Sequence, residues 1–312
     1  EASSHGLVQG RLAGVMIDVA IFTNLTHEHL DYHKSINDYL NAKQKLFMMN
    51  SVGVAVINYD DPSGKIMIGR TNKEIWPCSM ESIPRGFSRW TYASIKENTL
   101  QGMVVKLTTH NSDDILKTQL IGSFNAENLV LAHAALCLSG VSSKDAARAL
   151  SSVDLIPGRM QRVKYAELKC DVIVDYAHTP NALERVLSQL NALKQGRLWV
   201  VFGCGGGRDK VKRSKMGAIA ERIADEVVIT EDNSRSERFE DIVSDIQLGM
   251  KCPSFAKVIF SRFQAIRYAL REAGESDIVL IAGKGHEAST KKDESSSKKY
   301  TDIELLEAVL IA

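Results

Sequence analysis

From residue 171 to the end of the chain, short apolar runs alternate with longer stretches whose apolar residues recur every three or four positions. The runs 171–174, 198–202, 226–230, 257–260 and 277–281 are predicted strands. The stretches 182–193, 214–224, 239–248, 262–272 and 301–310 are predicted helices. Such alternation predicts an α/β fold, a parallel sheet with helices on its faces. Residues 291–299, with serines and mixed charges, read as a solvated loop.

The first half is less regular. Residues 19–22 form an apolar run that reads as a buried strand. Residues 38–49 carry Tyr39, Leu40, Ala42, Leu46 and Phe47 at helical spacing, which puts Lys43 one turn on from Tyr39. A strand is predicted over 53–57 and a turn over 58–64. Residues 65–120 give only short runs such as 103–107, broken by Pro77, Pro84, Gly86 and Gly102. A strong helix is predicted over 123–139 with Ser123 as its cap. Residues 155–160 read as the linker into a second domain, so the expected division is 1–156 and 157–312.

Four of the later strands run into polar or glycine-rich loops: 175–180, 203–210, 231–237 and 283–287. Ligands of open α/β sheets bind at the carboxyl ends of the strands, so all four loops can line one crevice.

The chain has 312 residues, is 44% hydrophobic and 25% charged, and carries a net charge of +1. That leaves no broad attraction to nucleic acid or to a membrane surface. Five scattered cysteines without metal spacing suit a reducing cytoplasm better than a disulfide framework.

Three histidines, a Glu and an Asp crowd residues 27–33, just past the predicted strand 19–22. The zinc-protease pattern His-Glu-x-x-His fails, because Asp31 stands where the second His belongs. His29 and His33 are four apart and could share a helical face, but such a pair is often only solvated. No cysteine lies near, which argues against a structural zinc site. The glycine loop Gly203-Cys-Gly-Gly-Gly-Arg208 lacks the third glycine of a dinucleotide fingerprint, and Asp225 precedes a strand instead of ending one. Arg208, Lys210, Lys212, Arg213 and Lys215 would crowd one helix N-terminus unless anions lie nearby.

Taken in order, several motifs resemble the Mur ligases, closest to their diaminopimelate-adding, tripeptide-forming branch. They are Glu1-Ala-Ser-Ser-His5, Asn24-Leu-x-x-x-His29-Leu-Asp-x-His33, Ala42-Lys43-x-x-Leu46-Phe47 and Gly122-x-x-Asn125-x-x-Asn128. Asp232-Asn-Ser-Arg235 and Gly283-Lys-Gly-His-Glu287 complete the set. The resemblance implies a P-loop-type central ATPase domain followed by a Rossmann-like doubly wound domain, in a cytoplasmic monomer using ATP and Mg²⁺. It implies an ATP-dependent ligase of peptidoglycan synthesis, joining meso-diaminopimelate to UDP-N-acetylmuramoyl-dipeptide through an acyl phosphate. Glu1, His29 and a carbamylated Lys43 would stand at the metal. Ser3, Gln9, Arg11 and His178 would meet the muramoyl substrate. Asn125, Asn128, Arg159 and Asp175 would meet the nucleotide. Arg208, Asn233, Arg235, Gly283 and Glu287 would meet the incoming amino acid.

Two departures from the family pattern matter. Ser234 replaces a proline of the family's Asp-Asn-Pro-Arg loop, and no Gly-x-x-x-x-Gly-Lys-Ser/Thr phosphate loop occurs in the chain. By resemblance that loop and a small uridine-nucleotide domain lie upstream of Glu1, so the chain by itself is expected to be inactive. The competing expectations are a non-catalytic fragment, a lysine-adding ligase and a folylpolyglutamate synthase-like ligase. Keeping Arg235 favours diaminopimelate, whose second carboxylate pairs with a guanidinium.

Overall fold

A computed structural model describes residues 1–26, 32–207, 209–286 and 300–311. The chain divides into two compact units, Glu1–Val153 and Asp154–Ala312. That division falls three residues before the expected one. The 291–299 loop lies outside the described residues.

In the first unit the order is α1 (Ser4–Val8), β1 (Ile17–Phe22), α2 (Ile36–Met48), β2 (Val52–Asn58), α3 (Pro62–Arg70) and β3 (Glu74–Ser79). Then come β4 (Thr91–Thr99), β5 (Gly102–Thr109), β6 (Asp113–Thr118), α4 (Ser123–Leu138) and α5 (Ser143–Ser151). The six strands form one sheet in chain order. The pairs from β1 to β4 are parallel, and β4–β5–β6 is an antiparallel meander. Ala20, Phe22, Ala55 and Ile57 pack on one face against Leu7 of α1, Leu40 and Phe47 of α2, and Met67 of α3. The other face carries α4, where the Cys78 thiol of β3 reaches the Val130 carbonyl.

Two expectations fail here. Residues 58–64 are not just a turn: Asp61 caps α3 by accepting the Ser63 amide, and Pro62 is its first residue. Proline costs nothing there, because that amide has no helical partner. Ser123 does not cap α4. The cap position is Gly122 at φ 93°, with no side-chain cap bond, and Ser123 is the first helical residue.

His133 of α4 is fully buried, with Nε2 3.2 Å from the Ser143 carbonyl of α5. Its Nδ1 has no hydrogen-bond partner. Burial holds its pKa below the ordinary 6.5. On acidification the unfolded chain therefore takes up this proton first, and stability falls as pH drops below about 6.5. His133→Gln is expected to flatten that part of the dependence, which denaturant titrations between pH 5 and 7.5 would check. An unchanged slope would assign the effect to other groups.

The second unit runs β7 (Gln161–Val163), β8 (Asp171–Asp175), α6 (Pro180–Leu193), β9 (Leu198–Phe202), α7 (Val211–Ile223) and β10 (Glu226–Ile229). It continues α8 (Phe239–Gln247), β11 (Ala256–Val258), α9 (Arg262–Glu272), β12 (Ile278–Ala282) and α10 (Asp302–Ile311). The sheet order is β11-β10-β9-β12-β8-β7. All pairs are parallel except β7–β8, so the expected wholly parallel sheet gains one antiparallel edge strand. β9 and β12 are buried at every residue, as strands covered on both faces must be. Helices α9 and α10 cover the face bearing Val172, Trp199, Val201 and Ile281, while α6, α7 and α8 pack side by side.

Strand β12 is inserted between β8 and β9, so the order of connection reverses there. The loops after β8, β9 and β12 flank this switch point, the usual ligand crevice of such sheets. Asp225 and Asp277 lie at the opposite ends of the strands. Asp225 accepts the Leu198 amide and pairs with Lys194; Asp277 accepts from Arg197 and Trp199. Asp225 is thus spent at the amino end of β9, away from the ligand crevice, which removes it as a ribose-binding acid.

Candidate functional site

In the second unit the turn at residues 158–160, the loop after β8 and the loop after β12 are stacked on one another. Gly158 sits at φ 66°, and a Cβ there would lie 2.4 Å from the His286 amide nitrogen. Gly285 sits at φ 53°, and a Cβ there would lie 2.8 Å from the Gly158 oxygen. No larger residue allows this approach. Asp175 ties the layers together. Its two carboxylate oxygens accept the amides of Met160 and Ala177, each at 2.7 Å, and its carbonyl accepts the Gly283 amide. Burial pushes its pKa up, against the pull of these bonds. Its carboxylate is 4% exposed as a residue, so a ribose hydroxyl would have to share it with two backbone donors.

Tyr176 gathers the polar side chains expected here. The Arg159 guanidinium lies 4.8 Å above its ring, His178 packs edge-on at 4.5 Å, and His286 lies at 5.9 Å. Lys212 from α7 donates to the His178 carbonyl at 2.9 Å, joining this layer to the glycine loop's helix. Arg159, Asp175, His178 and Gly283 are therefore neighbours.

The glycine loop and the 231–237 loop are zipped together. The Gly206 amide donates to the Asn233 carbonyl at 3.1 Å, and Arg235 Nη1 donates to the Gly206 carbonyl. A Cβ on Gly206 would lie 1.9 Å from the Ser234 oxygen. Asn233 and Arg235 both have positive φ, 44° and 52°. Arg235 is exposed, with one nitrogen spent on Gly206 and the rest of its fork at the surface.

The crowd of basic residues at α7 does have anions nearby, but they belong to the chain. Arg213 is fully buried and pairs with Glu237 and Asp245; Lys210 pairs with Glu237 at 3.1 Å. These cations, with the Gly207 amide, hold the Glu237 carboxyl well below the usual carboxylate range. The partnership was not foreseen. Its one local signal is that Arg213 shares a helical face with the buried Met216, Gly217 and Ala220.

A second buried charge group lies under the loop after β12. Arg262 donates to both oxygens of Asp302, at 2.6 and 2.8 Å, and to the Ala282 carbonyl at 2.8 Å. Asp232 and Lys284 are buried beside it; burial raises the Asp232 pKa and lowers that of Lys284.

In the first unit Lys43 sits on α2 with its Nζ 3.5 Å from the Ala2 carbonyl and 5.8 Å from the centre of the Tyr39 ring. The segment bearing Glu1 and Ser3 is thus brought to Lys43. Glu1, Ser3, Gln9 and Arg11 are exposed; Ser3 caps α1 through the Gly6 amide. His33 is buried, 2.8 Å from the Ser4 hydroxyl and stacked on Tyr39 at 5.1 Å, so it braces α1 on α2. Asn125 is buried and donates to the Ile121 carbonyl; Asn128 is exposed one turn on. His29, Arg208 and Glu287 lie outside the described residues. Among the described residues no three His, Cys, Asp or Glu side chains are grouped to hold a metal. Glu1 and an unmodified Lys43 do not by themselves make a magnesium site, since magnesium takes oxygen ligands.

Residues 1–136 match the family model described as "Mur ligase middle domain", and residues 158–285 that of "Mur ligase, glutamate ligase domain". The chain belongs to the Mur ligase family. A Mur ligase from Pseudomonas aeruginosa named UDP-N-acetylmuramoyl-L-alanyl-D-glutamate–2,6-diaminopimelate ligase is 41% identical over 313 residues, covering 100% of this chain and 63% of the relative. A Coxiella burnetii protein of the same name is 40% identical over 306 residues, covering 97% of this chain and 62% of the relative. A solved structure of a ligase of that name, 35% identical, superposes with a TM-score of 0.66 over 100% of this chain and 63% of that one. This Mur ligase chain therefore spans about three-fifths of the length of the curated relatives it matches. No helix among its described residues is long and apolar enough to cross a membrane.

Proposed function

We propose that a protein carrying this chain is an ATP-dependent ligase that adds meso-diaminopimelate to UDP-N-acetylmuramoyl-L-alanyl-D-glutamate. The observation that carries the reading is the zipping of the glycine loop, which flanks the switch point, onto the 231–237 loop, with Arg235 exposed beside Gly206. Relatives 40–41% identical over nearly the whole chain are named as diaminopimelate ligases, which supports it.

Joining a carboxylate to an amine in water is uphill. In this reading the glutamyl carboxylate attacks the terminal phosphorus of ATP, ADP leaves, and an acyl phosphate forms. The amine of the incoming amino acid then attacks the acyl carbon, phosphate leaves, and a proton is lost from nitrogen. The second unit's task is to present that amine. Arg235 pairs with the carboxylate of the distal amino-acid head, and Asn233 offers a side-chain amide beside it. Lysine lacks that carboxylate and would leave the guanidinium facing no anion.

Arg235→Ala is expected to lower kcat/KM for meso-diaminopimelate about 10- to 100-fold, the worth of a charge-assisted pair. The value for lysine should hardly move. Steady-state kinetics with both amino acids checks this. An unchanged ratio of the two constants would remove Arg235 from recognition.

A further inference from the structure

We infer that Arg213 is a positioning residue for the incoming amino acid, acting through Glu237 and the Gly205 carbonyl to hold Asn233 and Arg235. This rests on the proposed reading of the second unit as the amino-acid site.

Arg213 is fully buried on α7, yet its guanidinium reaches three other segments. Nη1 donates to Glu237 Oε2 at 2.9 Å and to Asp245 Oδ2 of α8 at 2.8 Å. Nη2 donates to Glu237 Oε1 at 3.0 Å and to the Gly205 carbonyl at 3.1 Å. Glu237 passes the constraint on, because its Oε1 also accepts the Gly207 amide at 2.6 Å. The glycine loop is thus pinned at residues 205 and 207, and the neighbouring loop at residue 237. Between the pins, Gly206 exchanges bonds with Asn233 and Arg235.

Asn233 and Arg235 are two of the three non-glycine residues with positive φ among the described residues. Side chains rarely adopt that conformation unless the surroundings over-determine it. The Arg213 network is what does so here. Its make-up argues against mere packing, since a buried ion network adds little net stability over well-packed apolar residues. What it supplies is geometry. A planar fork with several N–H groups can satisfy two carboxylates and a carbonyl at once, and a lysine cannot.

The test is calorimetric titration of meso-diaminopimelate into the wild-type chain and into Arg213→Lys, Glu237→Gln and Asp245→Asn. Calorimetry separates the dissociation constant from the fraction of binding-competent protein. A purely structural defect lowers that fraction; a positioning defect weakens binding in the molecules that remain folded. Arg213→Lys and Glu237→Gln are expected to weaken binding about tenfold or more at unchanged stoichiometry. Asp245→Asn should weaken it less, because Asp245 touches neither loop. If Arg213→Lys fails to fold, Glu237→Gln decides alone. Wild-type affinity in the folded fraction of Glu237→Gln would overturn the inference while leaving the amino-acid site standing. Absence of binding to the wild-type chain would bring down both.

Discussion

Asp302→Ala is expected to destabilise the second unit by about 3–5 kcal/mol, the usual cost of stripping one partner from a buried ion pair. Asp302 is 0% exposed, and both its oxygens accept from Arg262, itself 4% exposed. Removing the carboxylate leaves a buried guanidinium whose direct acceptor is the Ala282 carbonyl and whose Nη1 already lacks a partner, with the Asp232 carboxyl beside it. Domains are stable by about 5–15 kcal/mol, so this one change removes a large share. Replacing both residues by apolar ones, Arg262→Met with Asp302→Leu, should cost less, because no guanidinium is then stranded and Asp232 keeps Lys284 as its neighbouring cation. Urea denaturation of the three proteins checks the contrast. Equal losses in the single and double variants would show that packing volume, and not the charge, matters. The local effect should be on the loop after β12, since Arg262 also holds the Ala282 carbonyl at its base.

Lys43→Ala is expected to lower ligation about 10²- to 10³-fold, the range seen when one group that stabilises developing charge is removed. The same change should cost at most about 1 kcal/mol of stability, because Lys43 is only half-buried on α2 and a part-exposed charged side chain contributes little. Activity lost without stability lost is the signature of a residue kept for chemistry. Added bicarbonate should not rescue the alanine variant, which has no amine to carbamylate. The measurements are turnover in a protein carrying this chain and its thermal midpoint. Near-normal turnover would make Lys43 an ordinary helix-surface residue.

The second unit was readable because its signals are local. Residues 198–202 and 278–282 are unbroken apolar runs, as strands buried on both faces must be. Helix α6 begins at Pro180, two residues before the predicted start at 182, because the Thr179 hydroxyl caps it by accepting the Ala182 amide. The first unit hid more. Asp61-Pro62 carries both a turn signal and a helix-start signal, and only the α3 packing surface, Gly64 and Met67, decides between them. The three-residue β7 is too short for any periodicity, and it exists because β8 offers it an edge. The ion networks are invisible in sequence for a different reason. Arg213 lies 24 residues from Glu237 and 32 from Asp245, and Arg262 lies 40 from Asp302, so tertiary folding alone makes these partners. The motif resemblance pointed to Arg159, Asp175, His178 and Gly283 as site residues, and the stacking of three loops explains how separate motifs come to adjoin.

The most direct test is a competition. A protein carrying this chain is given ATP, UDP-N-acetylmuramoyl-L-alanyl-D-glutamate, and equal concentrations of meso-diaminopimelate and L-lysine, and the products are weighed by mass spectrometry. The expected main product is the diaminopimelate tripeptide, dependent on ATP and formed about 10- to 100-fold more slowly with Arg235→Ala. A main product carrying lysine, or none of either with the unaltered protein, would contradict it.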